Sequence, residues 1–161
     1  MKFKLQMVIE SDDGNQILTR DVSEWERNAA IVENLGLSLS EAKELLRKTQ
    51  QMMVREQVQE FLKYSAICPH CEKKRLSKGR HHIVYRTLFG KTALESPRLF
   101  YCGCESANEP PLAKTFSPLA AALPERSSPE LLYLEAKFGA QISFDLSRQY
   151  TGGSSAAARR V

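Results

Sequence analysis

The chain has 161 residues, of which 42% are apolar and 26% charged, and a formal net charge of +4. That length suits one ordinary domain or two small ones, and the balance is that of a soluble globular protein rather than a disordered or membrane-embedded one. With no secretory apolar core and no apolar run long enough to cross a bilayer, the expected compartment is the cytoplasm, where paired cysteines bind metal more often than they form disulfides.

Met1 to Ile9 alternates Phe3, Leu5 and Met7 with Lys2, Lys4 and Gln6, the period of a half-buried strand. Asp12-Asp13-Gly14-Asn15 is a turn signal, and Gln16 to Val22 is expected to return as the second strand of a hairpin. Trp25 to Leu35 reads as a short helix or irregular stretch. Ser38 followed by Glu41 fits a capping box, in which each side chain satisfies the other residue's free backbone N–H. A helix is expected from there to about Tyr64, with no Gly or Pro to interrupt it. Ala42, Leu45, Leu46, Met53, Val58, Phe61 and Leu62 form its apolar stripe, and Glu44, Lys48, Arg55, Glu56 and Lys63 its polar face. The stripe either packs on the hairpin or, being long, also serves a second copy of the chain; a homodimer through residues 38–64 is the sharper of these readings.

The four cysteines stand in two close pairs, Cys68-Pro69-His70-Cys71 and Cys102-Gly103-Cys104, with 30 residues between the pairs. His81 to Phe89 alternates, Gly90-Lys91 is a tight-turn candidate, and Thr92 to Tyr101 returns, with Pro97 restricting it to an edge or a bulge. A hairpin would thus bring the two cysteine turns together. Two turns supplying two thiolates each suit a tetrahedral zinc ion, so Cys68, Cys71, Cys102 and Cys104 are the expected ligands of a structural Zn2+ in a zinc ribbon. Such a ribbon could not stand alone in water, and metal binding would supply on the order of 10 kcal/mol of folding free energy. Two other readings stay open. Cys-Pro-His-Cys is also the pattern of thioredoxin-like oxidases, but those place it after a strand and at a helix start; here it follows a helix and precedes a hairpin. The thiols could also be incidental. Four cysteine ligands would leave no coordination position for a substrate, which speaks against a catalytic metal.

Glu105 to Pro111 reads as a polar loop. Ser117-Pro118 and Ser128-Pro129 each look like an N-cap followed by proline at the first helical position. The first opens a short turn ending at Pro124, the second a helix to about Gln149 with Leu131, Leu134, Phe138 and Ile142 on one side. Thr151 to Val161 is expected to be a disordered tail. The expected fold class is therefore α+β, in four segments: a hairpin and long helix over 1–66, the ribbon over 67–105, a helical segment over 106–150 and a tail over 151–161.

Charge is unevenly spread. Residues 1–66 carry 9 Lys/Arg against 11 Asp/Glu, while residues 72–91 carry Lys73, Lys74, Arg75, Lys78, Arg80, Arg86 and Lys91 against Glu72 alone. The positive excess sits inside the ribbon, as expected of a module that faces phosphate, although a solvated loop would look the same. His81 and His82 border this loop, and neither has an obvious nucleophile beside it. No carboxylate cluster, Gly-rich phosphate loop or serine elbow appears, so no complete active site is legible.

Several stretches, taken together and in order, resemble a known family. They are the opening Met1 to Ser11, then Leu35-Gly36-Leu37-Ser38-Leu39-Ser40-Glu41-Ala42-Lys43, Cys-Pro-His-Cys, Val84-Tyr85-Arg86-Thr87-Leu88-Phe89-Gly90, Ser96-Pro97-Arg98-Leu99, Phe116-Ser117-Pro118-Leu119, Leu123-Pro124-Glu125-Arg126 and Pro129 to Phe138. Over about residues 1–146 this text is similar to the N-terminal region of bacterial insertion-sequence transposases of the Kra group. The resemblance implies a role in DNA transposition, with a helical and zinc-ribbon region preceding a ribonuclease-H-like catalytic domain. From about Asp145 the similarity gives way to the Gly-Ser-Ala tail, so a truncated or frameshifted transposase is expected, without catalysis of its own. The resulting expectation is a nucleoid-associated protein binding double-stranded DNA, at the element ends, with Lys73, Lys74, Arg75, Lys78, Arg80 and Arg86 on phosphate. The other expectation is an interaction module whose helix dimerises and which regulates an intact transposase.

Overall fold

In a computed structural model, residues 1–10, 14, 17–28, 35–106 and 114–141 are described. The class is α+β, and the chain divides into two compact units, Met1–Ser65 and Ala66–Val161. The ribbon and the C-terminal helices, expected as separate segments, fall within the second unit. Among the described residues no helix is long and apolar enough to cross a membrane.

The first unit is a hairpin and one helix. Strand β1 (Lys2–Glu10) pairs antiparallel with β2 (Ile17–Glu26). Lys2 and Lys4 bind Glu24 and Asp21 across the strands at 2.6 and 2.9 Å. The register shifts between Leu5 and Gln6, whose partners are Ser23 and Asp21. Val22 is thus the extra residue of a bulge, and it is the buried residue of the hairpin. Strand β2 runs four residues beyond its expected end at Val22. Trp25 lies opposite Phe3, and cross-strand aromatic pairing favours the extended chain over the short helix or irregular stretch expected from Trp25. The rest of that stretch, residues 29–34, and the Asp12–Asp13 part of the first turn lie outside the described residues.

Helix α1 (Leu39–Ser65) has 27 residues and so measures about 40 Å. Its start is the capping box read from the sequence: the Glu41 N–H donates to Ser38 Oγ at 3.3 Å and the Ser38 N–H to Glu41 Oε2 at 2.9 Å. The other Glu41 oxygen accepts from Arg27 at 2.6 Å, and Arg27 also donates to the Gly36 carbonyl at 3.3 Å. Arg27 exchanges backbone bonds with Met1 as well. One arginine therefore joins the end of the hairpin to the beginning of the helix. The predicted stripe divides. Ala42, Leu45, Val58 and Leu62 are half-buried, but Leu46, Met53 and Phe61 are 47%, 45% and 40% exposed. One step along a helix turns about 100°, so Leu46 points well away from Leu45, and a single hairpin cannot cover both.

In the second unit a small turn precedes the ribbon. Ile67 bridges Lys74, the Cys68 N–H donates to the Lys73 carbonyl at 3.0 Å and the Glu72 N–H to the Cys68 carbonyl at 2.9 Å. Strand β3 (Ser77–Thr87) pairs with β4 (Gly90–Phe100), and β5 (Thr115–Phe116) adds to the far side of β4. The connection is Leu88-Phe89 rather than Gly90-Lys91, because Thr87 Oγ1 accepts from the Phe89 N–H and donates to the Gly90 carbonyl, closing the turn two residues earlier. Pro97 sits opposite Arg80 beside a register shift at Lys78, and β5 pairs only with Leu99 and Phe100. Its missing N–H is therefore not needed on the β5 side.

The ribbon buries Ile83, Leu94, Thr92 and Ser96 on one face, and Leu99 and Leu119 of α3 (Pro118–Ala122) are buried as well. The turn α2 (Gly103–Ser106) follows the second cysteine pair. Helix α4 (Pro129–Gln141) packs on β3. Both Ser-Pro starts are real caps: Ala120 N–H donates to Ser117 Oγ and Leu131 N–H to Ser128 Oγ. The expected continuation of α4 to Gln149, most of the 105–111 loop and the tail lie outside the described residues.

The capping box has a pH signature. Hydrogen bonds from the Ser38 backbone N–H, from Arg27 and from the Ser38 hydroxyl hold the Glu41 carboxyl down at about 2, against an ordinary value of 4.5. A depressed carboxylate stabilises the fold above its unfolded value, and that stability is lost as pH falls. Thermal unfolding followed at helix wavelengths should therefore show the first unit losing stability between about pH 4.5 and pH 2. Glu41→Gln should be less stable at neutral pH and flatter across that window; an unchanged slope would contradict the role assigned to Glu41.

Candidate metal centre

Cys68 and Cys71 come from the turn before β3, and Cys102 and Cys104 from the turn after β4. Pairing of these strands carries the two turns to the same end of the ribbon. The Phe100 N–H donates to the Leu76 carbonyl at 2.9 Å, which continues the pairing almost to the cysteines. All four sulfur atoms lie within 4.8 Å of one another. Two contacts run between the turns, Cys68 to Cys104 and Cys71 to Cys102, each at 3.4 Å. Cys68 is buried and the others half-buried. Four thiolates on a tetrahedral ion with bonds of about 2.3 Å would have their sulfurs about 3.8 Å apart, so this cluster can hold a metal ion.

The turns are built to accept negative charge. The His70 and Cys71 backbone N–H groups are directed at the Cys68 sulfur, the Lys73 N–H at Cys71 and the Cys104 N–H at Cys102. The chain after Cys71 is turned by Glu72, which has φ 57°. That left-handed conformation costs a non-glycine residue on the order of 1 kcal/mol, and here it lets the following N–H groups fold back toward sulfur. The thiols split in affinity for protons. Burial raises Cys68, but the bonds from the His70 and Cys71 N–H groups and from Cys104 outweigh it and bring it to about 6. Cys102 is also lowered, first by the Cys104 N–H and then by Cys71. Cys104 is pushed up to about 12 by its contacts with Cys102 and Cys68; for Cys71 the Lys73 N–H is the strongest influence and lowers it, but contacts with Cys102 and Cys68 together with burial leave it raised. Each 3.4 Å contact thus sets a sulfur of lowered proton affinity against one of raised affinity. Four anions cannot share this space without a cation between them.

The six cations singled out from the sequence do not form one group. Lys73, Lys74 and Lys78 are exposed. The Arg75 guanidinium lies 5.0 Å over the Phe116 ring, which stacks on Tyr101 at 4.7 Å, beside the second cysteine pair. Arg80 binds Glu95 at 2.9 Å on the surface. Arg86 donates to Ser127 Oγ at 3.1 Å and lies 3.7 Å from Glu135, so it joins β3 to α4. His70 and His82 are exposed. His81 points inward, with Nε2 at 3.5 Å from Ser117 Oγ, itself 2.7 Å from Ser96 Oγ. Arg98 is the cation that sequence reasoning did not single out. The strand register sets it opposite Gly79, one step from the Arg80–Pro97 pair, and so on the other face of the ribbon from Arg80.

No protein-family profile, curated protein or solved structure matches the chain.

A metal ion must displace the protons of Cys71 and Cys104. Titration of the metal-free chain with a divalent thiophilic ion at pH 7, in buffers of different ionisation enthalpy, should report release of protons as the ion binds. Release of none would mean the ion binds elsewhere.

Proposed function

We propose that the second unit is a zinc ribbon that binds duplex DNA, and that it does so in DNA transposition, as the resemblance to the N-terminal region of Kra-group transposases implies. Zinc fits because it accepts four thiolates in a tetrahedron and needs no redox chemistry. With every coordination position filled, the ion holds the two turns together and does not act on a substrate. On this reading the chain contributes recognition, and catalysis lies outside it. The observation that carries the proposal is the row of exposed Lys73, Lys74 and Lys78 directly after the first cysteine turn. Flexible surface ammonium groups supply sequence-independent attraction to phosphate and position a protein on the duplex. Arg75 and Arg86 serve this surface indirectly by fixing β5 and α4.

Fluorescence anisotropy with a labelled duplex at low salt tests the proposal. Affinity should fall as salt rises, with a log–log slope of about −0.9 per phosphate neutralised. The combined Lys73→Glu, Lys74→Glu and Lys78→Glu variant should bind at least about tenfold more weakly at the same metal content. Undiminished binding by that variant would overturn the assignment.

A second reading has its own support. Leu39, Leu46, Met53, Phe61 and Tyr64 are all exposed, and their spacing lies close to a heptad, which places them along one side of α1. We infer that α1 pairs with a second copy of itself, which would let the chain form mixed dimers with a related full-length protein. Light scattering should give a dimer mass that Leu46→Glu reduces to a monomer; a monomer at all concentrations would exclude this reading.

A further inference from the structure

The exposed side of α1 carries charge as well as apolar residues, and the charge is placed symmetrically. Two rows run along it at heptad intervals. One is Leu39, Leu46, Met53 and Glu60; the other is Lys43, Gln50, Gln57 and Tyr64. Steps of four and three residues alternate between the rows, so the side chains form a single seam. Gln50 is half-buried and the rest are exposed. The seam thus has a cation near its start and an anion near its end. Glu60 Oε2 lies 2.7 Å from Lys63, but both side chains are more than half exposed. Such a pair holds weakly, and a carboxylate has a second oxygen to offer another cation.

We propose that α1 pairs with α1 of a second copy in the antiparallel sense, about a twofold axis between Gln51 and Met52, with Lys43 of each chain against Glu60 of the other. The inference rests on the dimer reading above and fixes the direction and register of that pair. Three physical arguments support it. The first is self-complementarity. A twofold contact uses the same patch on both chains, so each residue must suit the residue that the axis brings to it. One antiparallel register sets Leu39 against Tyr64, Lys43 against Glu60, Leu46 against Gln57 and Gln50 against Met53, and it uses every position of the seam. The second is charge. In a parallel pair each residue meets its own copy, so Lys43 would face Lys43 and Glu60 would face Glu60, and like charges brought together across an interface are unfavourable. The third is the helix dipole, because antiparallel helices set the positive end of each beside the negative end of the other. Half of the seam positions are polar. That weakens the pair and at the same time specifies its register, as polar residues at core positions of coiled coils do.

The test uses the metal-loaded full chain with the photoreactive residue p-benzoylphenylalanine in place of Leu39, which leaves the cysteines untouched. Irradiation and peptide mapping should join position 39 to the segment around Tyr64. The rise of the helix keeps these positions about 37 Å apart within one chain, so that product comes from the second copy. A product joining position 39 to position 39 would overturn the inference. Sedimentation equilibrium supplies an independent readout. Lys43→Glu and Glu60→Lys should each raise the dimer Kd at least about tenfold with unchanged circular dichroism, and the double variant should return it to within about threefold of the starting value. A double variant that pairs no better than the single ones would overturn the Lys43–Glu60 contact. If the chain is monomeric at every concentration, the dimer reading falls together with this inference. If Leu46→Glu abolishes the dimer while both charge reversals leave it intact, only the antiparallel register fails.

Discussion

Four sulfur atoms brought within 4.8 Å of one another, from turns separated by 30 residues, set the terms for the second unit. Two of the contacts, each at 3.4 Å, cross between the turns. Any ion held there would therefore tie the beginning of β3 to the end of β4. The apolar core beneath is small: Ile83, Leu94, Leu99 and Leu119, with Thr92 and Ser96 buried among them. A three-stranded sheet with so little apolar surface gains much from a cross-link at its open end. The other end is closed without metal, by the Thr87 hydroxyl in the Leu88-Phe89 turn and by the bonds of Arg86 to the 126–128 segment.

The first unit solves the same problem with polar contacts. Its hairpin leaves Phe3, Leu5, Val8, Ile17 and Leu18 exposed, and α1 has one buried side chain, Val54. Arg27 and Glu41 are the joint: a carboxylate shared between a helix cap and a guanidinium is held by several donors at once, which is why it stays ionised so far into acid. An apolar hollow of about 300 Å³ remains beside this joint, lined by Phe3, Leu5, Trp25, Arg27, Gly36, Leu37 and Leu45. The hollow and the exposed side of α1 have the same origin, a helix with more apolar surface than one two-stranded hairpin can cover.

The cations of the ribbon illustrate how a tertiary structure sorts equal charges into unequal roles. Arg75 stacks on Phe116 and Arg86 reaches Ser127 and Glu135, uses that suit a planar group with several donors. Lys73, Lys74 and Lys78 remain at the surface, where a hydrated ammonium on a flexible stem costs nothing to keep. The proposed division of labour on DNA follows from this sorting. On that proposal Lys73, Lys74 and Lys78 attract phosphate, and the two arginines fix β5 and α4.

Much of the fold was legible from local pattern. The alternation in Met1 to Ile9 and, as far as Thr87, in His81 to Phe89, the Ser38–Glu41 box and the two Ser-Pro caps each report a backbone preference that acts within a few residues, and to that extent each stands where the sequence placed it. The four cysteines could be grouped because two close pairs around a hairpin pattern have few ways to meet. Local pattern misjudged the end of β2, the position of the ribbon turn and the covered width of α1, because those depend on partners across the chain: Phe3 for Trp25, Thr87 for Gly90, and a hairpin too narrow for Leu46. The same limit applies to the site. Composition by itself determined that unit two is basic and rich in metal-ligating thiols. Only the register of β3 on β4, which is set by burial of Ile83 and Leu94 on one face, decided that Arg80, His82, Val84, Ala93 and Glu95 share the other, since a strand shows alternate residues to opposite sides and the choice of side belongs to the core.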